Sequence, residues 1–458
     1  METYGKILLI AMPIFLLLVL LEKWYGWSKG HDTVKTMDMV SSLASGITNV
    51  TKDVLGLSVA IISYGWMVSH LAITRIEEGV AVYVIAFIAL DFSGYWIHRI
   101  QHTTNIFWNA HIIHHSSEEF NLACALRQSI SVFFKLFTFF LLPAALLGVP
   151  GNVIAIVAPL HLFIQFWYHT QHIDRMGILE KIIVTPSHHR VHHAINPEYI
   201  DKNYSQVFII WDKLFGSFQE ERKDIPPVYG ITHPVATWNP IKINFQHMWL
   251  LIKDTLRTKS ITDKLKVWTG STGWRPKDVE SAHPVYKIDD VYGFEKYTVN
   301  RSPLFISWIW FQVAAILLIT SYMLAHIAGI GSPAIFIYGG FIFVFVYALT
   351  DLMDGNASYL FWELLKSAYA ITIFLSTGDW FGMTSIYANA NVLLKVKTKF
   401  HGQIISKNYE KIIQDEISFE NIEQLPKPEK EREEYKKTTI DQLIEDPSGM
   451  IVGFAIGA

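Results

Sequence analysis

Cysteine is almost absent: Cys124 is the only one in 458 residues. That excludes an intramolecular disulfide framework, a thiolate zinc site and an iron–sulfur cluster. Any metal must be held by histidine or carboxylate. Charge is scarce as well, at 17 % of residues, where ordinary globular chains carry about 25 %. The net charge of −3 and the pI near 6.7 call for no strongly charged partner. There is no basic domain and no motif of a nucleic-acid binder, so no nucleic-acid partner is expected. What fills the gap is apolar: 51 % hydrophobic and 14 % aromatic residues, with mean hydropathy +0.26. This is the composition of an integral membrane protein. Histidine is the one titratable residue in plenty: 19 in all, 12 of them between His98 and His193.

A membrane-spanning helix needs about 20 mainly apolar residues. Tyr4–Leu21, Val54–Ile73 and Val80–Ile97 qualify, followed by Ser131–Leu147 and Val153–Trp167. The last two are separated by the turn GVPG (Gly148–Gly151) and are expected to form a tight hairpin through or into the bilayer. Lys6 precedes the first run, but EKWYGW follows it with no small-residue cleavage site, so it reads as a membrane helix rather than a signal peptide. From His169 to about Val299 the chain turns polar and predicts a membrane-surface lobe of short helices, which includes WDKLFG (Trp211–Gly216). Apolar runs return at Leu304–Ala325, Ala334–Leu349 and Tyr359–Leu375, the last either spanning or lying flat. A tail starts near Leu394; its stretch PKPEKEREEYKK (Pro426–Lys437) predicts a solvated helix or disorder. There is no internal repeat.

Lys23, Lys29 and Lys35 follow the first run, which puts that end in the cytoplasm. Counting onward, the third run ends there at His98, and the hairpin returns there at His169. All histidine groups then lie on one face, at the membrane–water boundary. The expected fold is all-α: a polytopic membrane protein with a histidine-rich di-metal site at the cytoplasmic face of a transmembrane helix bundle. The membrane is a bacterial inner membrane or the endoplasmic reticulum.

The histidines come in groups: His98-Arg-Ile-Gln-His102, His111-Ile-Ile-His114-His115, His169 with His172, and His188-His189-Arg-Val-His192-His193. Residues three and four apart share a helix face. His98 and His102 therefore point one way, as do His111 with His114 and His115, and His189 with His192 and His193. Each group can offer two or three imidazoles to one point, and neutral imidazole suits iron, zinc, copper and nickel. Eight or nine such ligands exceed what one ion takes, which points to two ions. Asp91, Tyr95, His98 and His102 form one stripe along a helix. Asp91 is placed to accept the outer ring N–H of a ligand histidine, the alternative being a polar cap or an inter-helix hydrogen bond. His31, His70, His161, His233, His247, His283, His326 and His401 stand alone and read as ordinary satisfied or interfacial residues; His172 and His188 are extra rings beside better-placed neighbours.

These boxes resemble the fatty acid hydroxylase / sterol desaturase superfamily, whose signature is HxxxH, HxxHH and HxxHH. DFSGYWIHR (Asp91–Arg99), NIFWNAHIIHHSSEEFNLACALRQS (Asn105–Ser129), WYHTQH (Trp167–His172), TPSHHRVHH (Thr185–His193) and DKNYSQVFIIWDKLFGSF (Asp201–Phe218) are similar to its alkylglycerol monooxygenase branch. One position departs: Thr103 follows the second histidine of HxxxH, where that branch typically has Glu. The resemblance implies a di-iron, O2-dependent enzyme acting on a lipid C–H bond. It puts the metal ligands at His98, His102, His111, His114, His115, His189, His192 and His193, with His169 a ninth. It also implies tetrahydrobiopterin as reductant, although no pterin-binding motif is readable. The chain then divides into N-terminal transmembrane helices (1–80), a di-iron catalytic region (81–220), a membrane-surface lobe (221–302), C-terminal transmembrane helices (303–393) and a charged tail (394–458).

Breaking an unactivated alkyl C–H bond is beyond any side chain and needs a redox metal and O2. Beside an ether oxygen, hydroxylation gives a hemiacetal that collapses to a fatty aldehyde and a glycerol. At a plain methylene it gives a hydroxylipid, or an alkene if a second hydrogen is lost. The second reading is therefore a sterol, fatty acyl or carotenoid hydroxylase or desaturase. Zinc is redox-silent, yet binds more tightly than ferrous iron and is expected to substitute in purified protein. A metal transporter would place histidine and carboxylate pairs in the middle of several spans, whereas these sit at span ends. Candidate substrate contacts are Trp108, Asn121, Arg127, Gln128 and Tyr204. Arg127 either grips a phosphate or hydroxyl head group or is a surface ion pair or positive-inside signal. Trp167, Tyr168 and Trp211 line a tunnel or belong to an interfacial aromatic belt. The partners expected are a bilayer lipid, O2 and an electron donor; the sequence leaves the donor and the oligomeric state open.

Overall fold

The first apolar run folds as one long helix, α1 (Glu2–Ser28). The structure, a computed structural model, describes residues 2–384 apart from 61, 62, 75, 77, 78 and 133. The expectations for the tail, Pro426–Lys437 and His401 lie outside the described residues. After α1 comes α2 (Thr36–Val54), then α3 (Tyr64–Leu71) and α4 (Val80–Thr103). Two single-turn helices follow, α5 (Asn105–Trp108) and α6 (Ile112–His115), then α7 (Leu142–Leu146) and α8 (Gly151–Ile164). The polar half holds α9 (Pro186–His192), α10 (Ile210–Leu214), α11 (Pro240–Arg257), α12 (Ile261–Thr269) and α13 (Lys277–Ala282). The chain then returns to long apolar helices, α14 (Pro303–Ala325), a short α15 (Ile327–Ile330), α16 (Ala334–Asp354) and α17 (Tyr359–Thr377). Among the described residues the only ladder is a two-residue parallel pairing of Val59–Ala60 with Phe134–Lys135.

Among the described residues four helices are long and apolar enough to cross a membrane: Tyr4–Ser28, Val80–Thr103, Pro303–Ala325 and Ala334–Asp354. Two of the expected spans are corrected. Val54–Ile73 is no single helix: α2 ends at Val54, Gly56 turns the chain at φ +64°, and α3 starts only at Tyr64. Ser131–Leu147 breaks into a 3₁₀ stretch (Leu136–Leu141) and the five residues of α7. Pro143 at the start of α7 lacks the N–H that would continue a longer helix. The second arm of the hairpin, α8, has 14 residues, too few to cross alone.

The most enclosed of the long helices is one that hydropathy does not mark. α2 reads TMDMVSSLASGITNVTKDV, and most of its side chains are buried. Its hydroxyls return to the backbone: Ser42 to the Asp38 carbonyl, Thr48 to Ser45 and Thr51 to Ile47, at 2.8–2.9 Å. Small, self-satisfied side chains let neighbouring helices approach closely, as in membrane helix packing. α2 lies in one apolar core with α1, α14 and α16, so the N-terminal helices and the C-terminal helices pack as one body. A second core joins α3, α4, α7 and α8. The C-terminal ends of α1 and α4 meet the same region. Glu22 of α1 accepts from Leu122 N and Thr170 Oγ at 2.7 and 2.6 Å, and His172 faces Thr33 at 3.1 Å.

Candidate functional site

His98 and His102 stand on the last two turns of α4 and project together. α6 is a single turn with His111 at its N-cap. α9 begins with Pro186 and a reciprocal cap, in which Thr185 accepts from the His188 backbone and Thr185 N donates to the His188 ring at 3.3 Å. His188 is thus a capping residue, its ring packed on Phe218. α9 then presents His189, His192 and His193.

These rings gather in two groups: His98, His102, His111, His115 and His192 in one, and His114, His169, His189 and His193 in the other, each with its ligand atoms within 4.8 Å of one another. All nine expected ligands are brought together. The expectation that each box serves one point is corrected. The second box sends His111 and His115 to the five-histidine group and His114 to the other; the third sends His192 to the five-histidine group and His189 and His193 to the other. Adjacent helical residues point about 100° apart, since a turn holds 3.6 residues, so an HxxHH on one turn naturally feeds two points. The groups abut, with the His115 and His193 rings stacked at 4.3 Å.

The ring orientations are set from outside. His98 Nδ1 donates to the Tyr204 carbonyl at 2.7 Å, His192 Nδ1 to the Lys202 carbonyl at 3.0 Å, and His169 Nδ1 to the Gln165 carbonyl at 3.0 Å. Each bond commits the proton to Nδ1 and leaves the Nε2 lone pair facing the group. His192 Nε2 is buried there without a hydrogen-bond partner, which in a native interior calls for an explanation such as a bound ion. In the four-histidine group the Nε2 atoms stand 3.3 Å (His114–His169), 2.9 Å (His169–His189), 3.0 Å (His189–His193) and 3.1 Å (His193–His114) apart. Four nitrogens at about 2.0–2.1 Å from one ion, tetrahedrally arranged, lie about 3.3–3.4 Å apart. The donor set therefore fits a metal with little adjustment. Burial pushes His169 down to about 3 and holds His111, His114, His115, His189, His192 and His193 well below the ordinary imidazole range. Repulsion between neighbouring rings adds to this. All seven are neutral near pH 7, the form that binds metal.

Aromatic rings wall each group. Trp108 lies 5.0 Å from His102 and 5.6 Å from His115, and Tyr204 5.4 Å from His102. Tyr168 lies 4.4 Å from His189 and Phe120 5.2 Å from His193. Cys124 is buried, its thiol pushed up to about 12 by that burial, and takes no part.

Other expected site residues lie elsewhere. Asp91 does not reach any histidine of the two groups. Its carboxylate is taken by His161 Nε2, Val207 N, Phe208 N and Trp211 Nε1, all at 2.8–3.0 Å, because the stripe carries it two turns below His98. Tyr95 hydrogen-bonds Ser217 Oγ and receives Arg99, both at 2.8 Å, and braces residues 215–217 instead of touching the groups. Arg127 makes neither a surface pair nor an open grip. Its guanidinium is 2 % exposed, donating to Asp38 at 2.6 Å, Ser116 at 2.7 Å and Ser42 at 3.0 Å. Asn121 is spent on the Thr33 carbonyl and Ala123 N, and Gln128 on the Ala125 carbonyl. Of the five substrate candidates, Trp108 and Tyr204 border a histidine group.

Sequence reasoning missed Asp212. It receives Tyr204 N, Ser205 N and Ser217 Oγ at 2.7–2.8 Å and so aims the Tyr204 carbonyl at His98. The readable trace is the DKN of residues 201–203, where Asp201 and Asn203 take left-handed φ of +57° and +55°, a conformation these two residue types tolerate. Asp201 Oδ1 lies 3.8 Å from His102 Nδ1.

A helical membrane-type fold with nine buried, converging histidines defines a class: membrane proteins with histidine clusters able to hold metal. Residues 83–217 match the fatty acid hydroxylase family, the stretch that holds both groups. The chain is 33 % identical to the alkylglycerol monooxygenase of Homo sapiens over 359 residues, 78 % of this chain and 80 % of that protein. It is 32 % identical to that of Danio rerio over 359 residues, 78 % and 79 % of the two chains. The ornithine lipid hydroxylase OlsE of Rhizobium tropici is 30 % identical over 154 residues, 33 % of this chain and 46 % of that one. No solved structure matches the chain. The chain belongs to the fatty acid hydroxylase family, in the branch of the alkylglycerol monooxygenases.

Proposed function

We propose that each histidine group holds one iron ion, and that the chain is a membrane-bound monooxygenase that cleaves the ether bond of alkylglycerol lipids. The observation that carries this is the division of nine buried histidines into groups of five and four, in a chain 33 % identical to alkylglycerol monooxygenase over most of both lengths. When bound, the irons supply the two-electron activation of O2 and the hydrogen abstraction that no side chain can perform. Zinc fits the same donors and competes for them in purified protein.

The reaction balances as R–CH2–O–R′ + O2 + 2 e− + 2 H+ giving R–CH(OH)–O–R′ + H2O. The hemiacetal then breaks its C–O bond to glycerol, the hydroxyl proton ends on the glycerol oxygen, and a fatty aldehyde leaves. The two electrons come from a tetrahydropterin, as the resemblance implies. The chain's own residues aim three of the imidazoles inward, His98, His192 and His169, through the Tyr204, Lys202 and Gln165 carbonyls. Trp108 and Tyr204 shield the five-histidine group from water and border the path of the lipid chain. Residues 81–220 form the catalytic region, preceded by the N-terminal helices 1–80 and followed first by the surface lobe 221–302 and then by the C-terminal helices 303–393. Lys23, Lys29 and Lys35 lie near Glu22 and Thr33 in sequence, and those two residues bond Thr170 and His172 beside His169, which supports a cytoplasmic site.

The test is product analysis in iron-reconstituted membranes given an alkylglycerol, O2 and a tetrahydropterin, with His192→Ala as control. Aldehyde that requires His192 supports ether cleavage. A hydroxylipid or alkene from sterol, acyl or carotenoid lipids, without aldehyde from alkylglycerol, would support plain hydroxylation or desaturation, the reading favoured by the likeness to ornithine lipid hydroxylase.

A further inference from the structure

His161 stands inside α8, on an apolar helix, and nothing in the proposed reaction uses it. The ring is 1 % exposed, and an imidazole paired to a carboxylate is expensive in an apolar interior. Its Nε2 faces Asp91 Oδ1 at 2.9 Å and its Nδ1 faces Gln165 Nε2 at 3.1 Å. The donors run in one direction. Asp91 accepts only, so His161 Nε2 carries the proton. His161 Nδ1 is then bare and accepts from the Gln165 amide. Gln165 Oε1 in turn accepts from Tyr168 O–H at 3.5 Å, and the Gln165 main-chain carbonyl accepts from His169 Nδ1 at 3.0 Å. His169 is a member of the four-histidine group, and the Tyr168 ring packs 4.4 Å from His189 of the same group. Asp91 itself cannot drift, because Val207 N, Phe208 N and Trp211 Nε1 hold it from the other side.

The five-histidine group has separate supports. His98 and His102 are fixed by α4, and His98 and His192 are oriented by the Tyr204 and Lys202 carbonyls. We infer that Asp91, His161 and Gln165 form a positioning relay that sets the His169 ring, and so tunes the four-histidine group while leaving the five-histidine group alone. This rests on the two-ion reading above. Neither Asp91 nor His161 touches a ligand ring, so both are positioning residues and not catalytic ones.

The experiment titrates the full-length protein in detergent with cobalt(II) against a competing chelator, following the cobalt absorption spectrum. The wild type is expected to take two equivalents. His161→Leu is expected to keep one at unchanged affinity and to hold the other about 10–100-fold more weakly, the usual cost of losing an outer support of a metal ligand. His161→Gln, which can still donate to Asp91 and accept from Gln165, is expected to restore it. The relay is overturned if folded His161→Leu binds both equivalents as tightly as the wild type, or loses both alike, as a general loosening of the fold would produce. Should His161→Leu not fold, His161→Asn replaces it under the same criteria, being polar but too short to bridge both partners. A wild-type chain taking fewer than two equivalents would strike the two-ion reading itself, which separates that failure from failure of the relay alone.

Discussion

Arg127→Met should unfold this protein rather than weaken its grip on a lipid. Arg127 and Asp38 are 2 % and 1 % exposed and meet at 2.6 Å. The same guanidinium holds Ser42 on α2 and Ser116 just after His115. Removing it leaves the Asp38 carboxylate with the Ser117 hydroxyl, at 2.7 Å, as its one remaining side-chain donor. Stranding one partner of a buried ion pair costs about 3–5 kcal/mol. Arg127 is bonded on three sides, which places it toward the upper end. If the loss falls on the unfolding step, the lifetime of the folded protein in detergent shortens by about three to four orders of magnitude. The assay is the half-life of the fold at fixed temperature, read by tryptophan fluorescence, beside KM per folded molecule. Asp38→Leu combined with Arg127→Met should recover most of the lifetime, since an apolar pair of similar volume can replace a buried ion pair without loss. An Arg127→Met protein with wild-type half-life and a raised KM would refute this and return Arg127 to the role of a head-group clamp.

Gly94→Ala would drive a Cβ into the Gln206 side-chain amide; it should destabilise by about 1–3 kcal/mol, relieved by adding Gln206→Ala, as thermal unfolding of the single and double variants will show. Thr103 is exposed and bonds only the Arg99 carbonyl at 2.9 Å, so Thr103→Glu should leave metal content and product unchanged in metal analysis and product assay. His247 on α11 is lowered to about 4 by burial, against a smaller opposing pull from the Asn105 carbonyl. It stays neutral when folded and protonates when unfolded below about 6.5. Its contribution is therefore complete above about pH 6.5 and lost as pH falls from there towards 4. His247→Gln should flatten unfolding half-life against pH in that window.

The histidine boxes were legible because spacing gathers eight of the rings, the ninth, His169, coming from the family resemblance, and all nine converge. Their division was in principle legible too: two adjacent histidines on one turn cannot face one point. Asp91 was misjudged because helical phase tells direction and not distance. It shares the His98 face but sits two turns away, where α8 and residues 207–211 meet it. His161 read as an ordinary histidine because its carboxylate partner, Asp91, comes from α4 at a separation no local pattern records. The spans at Val54–Ile73 and Ser131–Leu147 failed because hydropathy counts apolar residues and overlooks the Gly56 turn and Pro143. α2 failed in the opposite sense: its Ser and Thr look polar, yet Ser42, Thr48 and Thr51 bond within the helix and Ser41 and Ser45 reach the Trp238 and Gln128 carbonyls, so it can be buried among apolar neighbours.

The central claim is that oxygen from O2 enters the carbon beside the ether bond. The direct measurement supplies 18O2 to iron-reconstituted membranes with an alkylglycerol and a tetrahydropterin, trapping the aldehyde by immediate reduction before it exchanges with water. One 18O in the trapped fatty alcohol, none in the glycerol, and no product in His192→Ala is the predicted result. Label absent from the fatty product, or present in the glycerol, would contradict it.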